Sequence, residues 1–97
     1  MKYITVEGDT AIIAVSGRYT LVQTLEVGQE LKTALSDLQC KKVVVDFAST
    51  TFIDSSVDRQ FIKVRRQIGA ENFKVIHAAG AVKQALHNAK LDSWIQG

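Results

Sequence analysis

The sequence predicts an α/β fold made of one domain, with a four-stranded mixed sheet in the order β-β-α-β-α-β-α and helices packed mainly on one face. Three observations lead to this prediction. The chain opens with two alternating apolar and polar segments separated by a turn, which is typical of a hairpin. Two later β-branched or apolar segments are each preceded by a stretch of helical apolar spacing. The length of 97 residues and a hydrophobic fraction of 46% suit a single core, so we expect residues 1–97 to form one domain.

The predicted hairpin occupies the first sixteen residues. Tyr3–Glu7 alternates with a period of two, as expected for a strand with one wet side. Gly8 and Asp9 supply a two-residue turn, because glycine accepts a positive φ. Thr10–Ser16 follows as the second strand, and Gly17 ends it.

A helix and a buried strand come next. The segment from Thr24 to Leu38 is predicted to be an amphipathic helix, because its apolar residues recur every three or four positions. Val43–Phe47 is a β-branched run of the kind found in buried strands. Ala48–Asp54 is rich in serine and threonine and is interpreted as a connection.

The second half of the chain repeats this alternation. Ser55–Ile68 is predicted to be the second helix, with Gly69 as its stop signal. Phe73–His77 is predicted to be the fourth strand and Ala81–Ala89 a short third helix. An apolar tail, which we expect to fold back onto the core, contains Leu91, Trp94 and Ile95.

Strand–helix–strand units imply parallel pairing with right-handed crossovers. If the strands lie in sequence order, two crossovers in one direction place both helices on the same face of the sheet. The opposite face is then expected to be partly open to water.

Composition excludes several classes of function. The net charge of +2 is too small to indicate nucleic acid or a membrane by itself. The start of the chain has no apolar signal core, and Cys40 is the only cysteine, which together predict a cytoplasmic protein. His77 and His87 have no other metal-ligating residues at a suitable spacing in the sequence. Neither a phosphate-binding glycine loop nor a catalytic triad is recognisable. We therefore expect no enzyme activity, no metal and no cofactor.

One motif is more specific. Val43–Phe47 ends a buried strand, and Phe52-Ile53-Asp54-Ser55-Ser56 then opens a helix. This arrangement resembles the signature of STAS domains, among them the bacterial anti-sigma factor antagonists. The resemblance extends over most of the chain, although the Asp-Ser-Ser element is its distinctive part.

The resemblance implies a partner-switching module. In that family a serine kinase, which is also the anti-sigma-like regulator, phosphorylates the serine after the aspartate, which is Ser55 here, with Ser56 as the alternative acceptor. A PP2C-type phosphatase resets the switch, and the unmodified form captures the protein partner. The family usually continues Gly-Leu-Gly, where this chain has Val57-Asp58-Arg59, so the partner is expected to differ from a typical anti-sigma factor.

The predicted partner-binding surface surrounds Ser55. Arg18 and Tyr19 follow the second strand, and we expect them at the same pole of the sheet. The full set of predicted partner-binding residues is Asp54, Val57, Asp58, Arg59, Arg18 and Tyr19.

Two of these residues have structural alternatives. Ser55 with Asp58 matches a capping box, so Ser55 is interpreted as both the helix cap and the phosphorylation site. Asp54 either assists phosphate transfer or forms a turn through backbone amides.

Charge around the second helix leaves the partner's chemistry open. Asp58 makes the pole more acidic than in the family pattern, which predicts basic or polar groups on the partner. Arg59, Lys63 and Arg66, together with Arg65, form a basic stripe that predicts either a solvated helix face or an acidic partner. The same stripe supports the alternative function, a small basic nucleic-acid-binding domain. The preferred hypothesis is a monomer that binds protein partners and neither nucleic acid nor membrane.

Overall fold

The computed structural model describes residues 1–95. Within this range the chain forms six strands and three α-helices. The strands are β1 (Ile4–Glu7), β2 (Thr10–Ala14), β3 (Gly17–Tyr19), β4 (Lys42–Asp46), β5 (Thr50–Ile53) and β6 (Phe73–Ile76). The helices are α1 (Leu21–Lys32), α2 (Ser55–Ile68) and α3 (Gly80–Asn88).

The predicted four-stranded mixed sheet is confirmed. Its order is β1-β2-β4-β6, with β1 antiparallel to β2 and the other neighbours parallel. Pairing of Glu7 with Thr10 leaves Gly8 and Asp9 as the two-residue turn, and Gly8 has a φ of 61°. The predicted hairpin and the sequential order of the strands are therefore both correct.

One face of this sheet carries the core. Ala11, Val43 and Phe73 are aligned across three strands, and so are Ile13, Val45 and Val75. All six side chains are buried. The residues that alternate with them, such as Ile12, Val44 and Lys74, are only half-buried or exposed, so the other face is partly wet as expected.

A second, two-stranded sheet was not predicted. β3 and β5 pair in parallel, with Arg18 opposite Phe52 and Tyr19 opposite Ile53. The segments expected to be loops at residues 18–19 and 48–54 therefore contain strands. Each is too short, and β5 too rich in threonine, to give a recognisable alternation.

The first helix begins earlier and ends earlier than the predicted range of Thr24–Leu38. Gln23 Oε1 accepts hydrogen bonds from the backbone N–H and the hydroxyl of Thr20, each at 3.0 Å, and α1 starts at Leu21. Regular α geometry stops at Lys32, and a π-helical turn covers Thr33–Asp37. Apolar spacing did not predict the start because the first two residues of the helix, Leu21 and Val22, are apolar but exposed.

The outer edge of the sheet is held by α1. The Glu30 carboxylate accepts hydrogen bonds from the backbone N–H groups of Tyr3 and Ile4, at 2.9 and 3.0 Å. At the opposite edge, Ile95 forms a parallel bridge with Val75, and the Trp94 ring packs edge-on against Phe73. The apolar tail therefore folds back onto the core, as predicted.

Candidate functional site

The Asp-Ser-Ser motif lies where β5 passes into α2. Asp54 is the N-cap of α2, with an extended backbone, and its carboxylate accepts a hydrogen bond of 3.0 Å from the Ser56 backbone N–H. Ser55 is the first residue inside the helix. The interpretation of Ser55 as the cap, paired with Asp58 in a capping box, is therefore wrong. Asp54 is one residue closer to the strand and is an equally good capping residue.

The two serines have different surroundings. Ser55 is exposed to solvent at the first turn of α2. Ser56 is only 7% exposed, and its hydroxyl donates to the Asp54 carboxylate and lies 3.1 Å from the Thr24 hydroxyl of α1. A modifying enzyme can reach the Ser55 hydroxyl without disturbing the fold, whereas reaching Ser56 requires breaking these contacts.

The small sheet places two helix N-termini side by side. Since Tyr19 pairs with Ile53, the residues that follow them, Thr20 and Asp54, are adjacent N-caps of α1 and α2. Burial alone would raise the pKa of the Asp54 carboxyl. Hydrogen bonds from Ser56 and from the Val57 and Leu21 backbones outweigh it and hold that pKa below its usual value. The carboxylate is thus stabilised in its ionised form between both helix starts.

A chain of hydrogen bonds fixes the spacing of the two helices. The Tyr19 hydroxyl donates to Gln60 Oε1 at 2.8 Å, and Gln60 Nε2 donates to the Thr24 carbonyl at 2.8 Å. Next to this contact, α1 carries Gly28, where an added Cβ would lie 3.3 Å from Gln60 Nε2. The sequence did not predict a role for Thr24 or Gln60, because a polar residue at a helix–helix contact leaves no recognisable sequence pattern.

The predicted partner-binding residues divide into two groups. Arg18 and Arg59 are exposed, and the Arg18 guanidinium lies 4.4 Å from the centroid of the Phe52 ring. Tyr19 and Val57 are 0% exposed and belong to the core. Their side chains are therefore unavailable to a partner in this conformation, and burial raises the pKa of the Tyr19 phenol.

Asp58 is half-buried, and its Oδ1 atom is buried without a hydrogen-bond partner in the described part of the chain. Burial, followed by the nearby Asp54 charge, raises the pKa of the Asp58 carboxyl. Only part of this carboxylate therefore reaches the surface.

The basic stripe is smaller than predicted. Arg59, Lys63 and Arg66 line an open groove on the outer side of α2. Arg65 instead lies over the Trp94 ring, 5.1 Å from its centroid, and so belongs to the packing of the C-terminal tail.

The histidines form isolated pairs. His77 lies 2.9 Å from Asp46 at the ends of β6 and β4, and His87 lies 3.0 Å from Asp92. Between residues 1 and 95, no group of three or more histidine, cysteine, aspartate or glutamate side chains could hold a metal ion. In the same range, no helix has both the length and the apolar character needed to cross a bilayer.

Comparison with known proteins agrees with this architecture. A family model for the STAS domain matches residues 3–96. The structure superimposes on the anti-sigma factor antagonist SpoIIAA in its unphosphorylated form with a TM-score of 0.82, at 16% identity over 96% of this chain and 84% of that one. An anti-sigma factor antagonist from Mycobacterium paratuberculosis gives a TM-score of 0.77, at 20% identity over 93% and 77% of the two chains.

A third similar structure is the phosphorylated form of the Bacillus cell fate determinant SpoIIAA. It gives a TM-score of 0.72 at 15% identity, covering 96% of this chain and 88% of that one. At these identities the likeness concerns the fold. No curated protein matches the sequence at a significant level.

Proposed function

The chain belongs to the STAS domain family, and from that premise we propose that it is a phosphorylation-regulated protein-interaction module of the anti-sigma factor antagonist type. A serine kinase that is also the regulated partner would phosphorylate Ser55, and a PP2C-type phosphatase would remove the phosphate. The observation that carries this proposal is the contrast between two adjacent hydroxyls. Ser55 is exposed at the start of α2, whereas Ser56 is buried and hydrogen-bonded to Asp54.

The position of Ser55 supports a switch that acts on the surface and spares the fold. Phosphorylation adds about −1.5 to −2 charges at neutral pH. Two helix N-termini meet at this pole, and each favours a nearby anion by about 0.3–1 kcal/mol. The Asp54 carboxylate already lies there and partly opposes a second anion. The attraction to the helix starts offsets part of this repulsion, so we expect the domain to stay folded while the charge presented to a partner changes.

The proposal has further parts. The domain acts by competition between partners, has no catalytic activity or cofactor of its own, and is a monomer in the cytoplasm. Asp54 acts as the cap that presents Ser55, and the exposed residues Arg18 and Arg59 contribute to the partner interface. Sedimentation showing a tight dimer at micromolar concentration would contradict the monomer.

The decisive experiment is phosphorylation in a bacterial cell extract supplied with ATP, read by intact mass and then by peptide mapping. We expect one phosphate on wild type, none on Ser55→Ala, and one on the control Ser49→Ala, which removes another exposed hydroxyl. A phosphate mapped to Ser56 alone, or one retained by Ser55→Ala, would overturn the assignment.

A further inference from the structure

The two helices that begin at the Ser55 pole leave a groove between them. Thr24 lies beside Ser56 and Gln60, and Gly28 lies beside Gln60, so α1 and α2 run in the same direction and pack closely there. On the outside of this contact is an open groove of about 360 Å³, with Leu21 and Leu25 on one side. A second depression of about 310 Å³ continues along the helices as far as Leu35.

The α1 side of this groove is unusually apolar for a surface. Leu21 and Leu25, which line the groove, are 55% and 62% exposed, and their neighbour Val22 is 62% exposed. They account for half of the six large apolar side chains that are exposed in residues 1–95, and they lie within five consecutive positions. Apolar side chains gathered in this way mark an interaction site more often than the same number scattered over a surface.

The charged side chains along the groove all have the same sign. Lys32 belongs to α1, while Arg59 and Lys63 belong to α2. None of the three forms an ion pair with another described residue. The acidic residues of α1, Glu26 and Glu30, are turned toward the first strand, where they bind Lys2, Tyr3 and the strand's backbone.

We propose that this groove docks an amphipathic helix of a protein partner, with acidic residues on both sides of an apolar stripe. The distance from Leu21 to Leu35 corresponds to about 21 Å of helix, or roughly four turns. The apolar stripe of such a helix would face Leu21 and Leu25, and its carboxylates would lie near Arg59 and Lys63. A helix of this kind matches both the apolar character and the positive charge of the surface. A second copy of this chain is disfavoured, because a two-fold contact would bring the same three cations together.

The inference deepens the proposed function and rests on it for the biological role. Ser56 lines the groove together with Arg59, and its exposed neighbour Ser55 lies one residue away at the same end of α2. A phosphate on Ser55 would add negative charge where the acidic helix enters, and so would favour its release.

The test uses the unmodified protein and two labelled synthetic peptides of about four helical turns. One has a leucine stripe flanked by glutamates, and the other has lysine in place of every glutamate. Fluorescence anisotropy should show binding of the acidic peptide that weakens with salt, and no binding of the basic one. Leu25→Asn and Lys63→Glu should each weaken binding about tenfold or more. The matched controls Leu38→Asn and Lys74→Glu change similar exposed residues outside the groove and should have no effect.

Several results would overturn the inference. These are no binding at about 1 mM acidic peptide, equal losses in the groove and control variants, or binding instead to anionic vesicles or duplex DNA that Lys63→Glu abolishes. A dimer by sedimentation that Leu25→Asn dissolves would assign the groove to a second copy. Because no kinase is needed, the outcome is separable from the phosphorylation test. If the acidic peptide binds but Ser55 is not phosphorylated, this inference stands and the proposed function is refuted. If Ser55 is phosphorylated but the acidic peptide does not bind, the proposed function stands and this inference is refuted.

Discussion

Removing the carboxylate of Asp54 should destabilise the domain measurably, because this one group caps α2 and also accepts the Ser56 hydroxyl. Loss of an N-cap costs about 0.5–2 kcal/mol. The Ser56 hydroxyl keeps its Thr24 neighbour, so it adds little further cost. Alanine also removes the charge, which interacts with two helix starts for about 0.3–1 kcal/mol each. We therefore expect Asp54→Ala to lower the free energy of unfolding by about 1–4 kcal/mol, which corresponds to a fall in melting temperature of about 5–30 °C for a domain of this size.

Asp54→Asn separates capping from charge. Asparagine retains an oxygen at the same position and caps helices equally well. This variant should therefore lose only the interaction of the charge with the two helix starts, about 0.3–1 kcal/mol for each. Because hydrogen bonding holds the pKa of Asp54 below its usual value, the stability due to its charge is complete above the pKa of the unfolded chain. It is lost as the pH falls through the lower pKa of the folded state, so wild type and Asp54→Asn should converge in acid.

Far-UV circular dichroism during thermal unfolding, repeated at neutral and acidic pH, measures these differences. Asp37→Ala is the control, because Asp37 is exposed and makes no side-chain hydrogen bond with any described residue. If Asp54→Ala melts like Asp37→Ala, or if Asp54→Asn loses as much as Asp54→Ala, the capping argument is wrong.

Three further predictions concern the neighbouring residues. Asp58→Asn should raise the melting temperature at neutral pH, because burial disfavours the ionised form of Asp58. The gain in melting temperature should shrink as acid protonates the wild-type carboxyl, and a gain independent of pH would contradict this. Tyr19→Phe should cost about 1–2 kcal/mol in urea unfolding, since it leaves Gln60 Oε1 without its donor, and an unchanged midpoint would show that the bond contributes little. Ser55→Asp should have a free energy of unfolding within about 0.5 kcal/mol of wild type and should capture the native partner more weakly. A variant that melts far lower, yet binds normally when folded, would make Ser55 a structural residue.

Much of the architecture could be predicted because it follows from regular patterns. The bounds of α2 follow from its apolar spacing and from Gly69, which has a φ of 96° and ends the helix. The sequential order of the main sheet agrees with the tendency of consecutive strands to be neighbours, and the handedness of crossovers then places the helices on one face. β3 could not be predicted, because three residues are too few for a period, and its partner strand lies more than thirty residues away.

The position of the Asp-Ser-Ser motif at a helix start could be predicted, but the surroundings of its two serines could not. The motif located the start of α2, yet the sequence could not show that Ser55 is exposed and Ser56 buried. That difference depends on Thr24, which belongs to another helix. The prediction that Tyr19 binds a partner failed in a similar way. Its burial depends on the pairing of β3 with β5, which are far apart in the sequence.

The Glu30 carboxylate also bears on how the protein avoids aggregation. A sheet edge with free N–H groups can recruit a strand from another molecule, and many proteins prevent this with proline, which this chain lacks entirely. Here Glu30 occupies the N–H of Ile4, the first residue of β1, and that of Tyr3 just before it, while Ile95 occupies a position on the outer edge of β6. Glu30→Ala would free both donors at the start of the edge strand, so we expect that variant to associate edge to edge more readily than wild type.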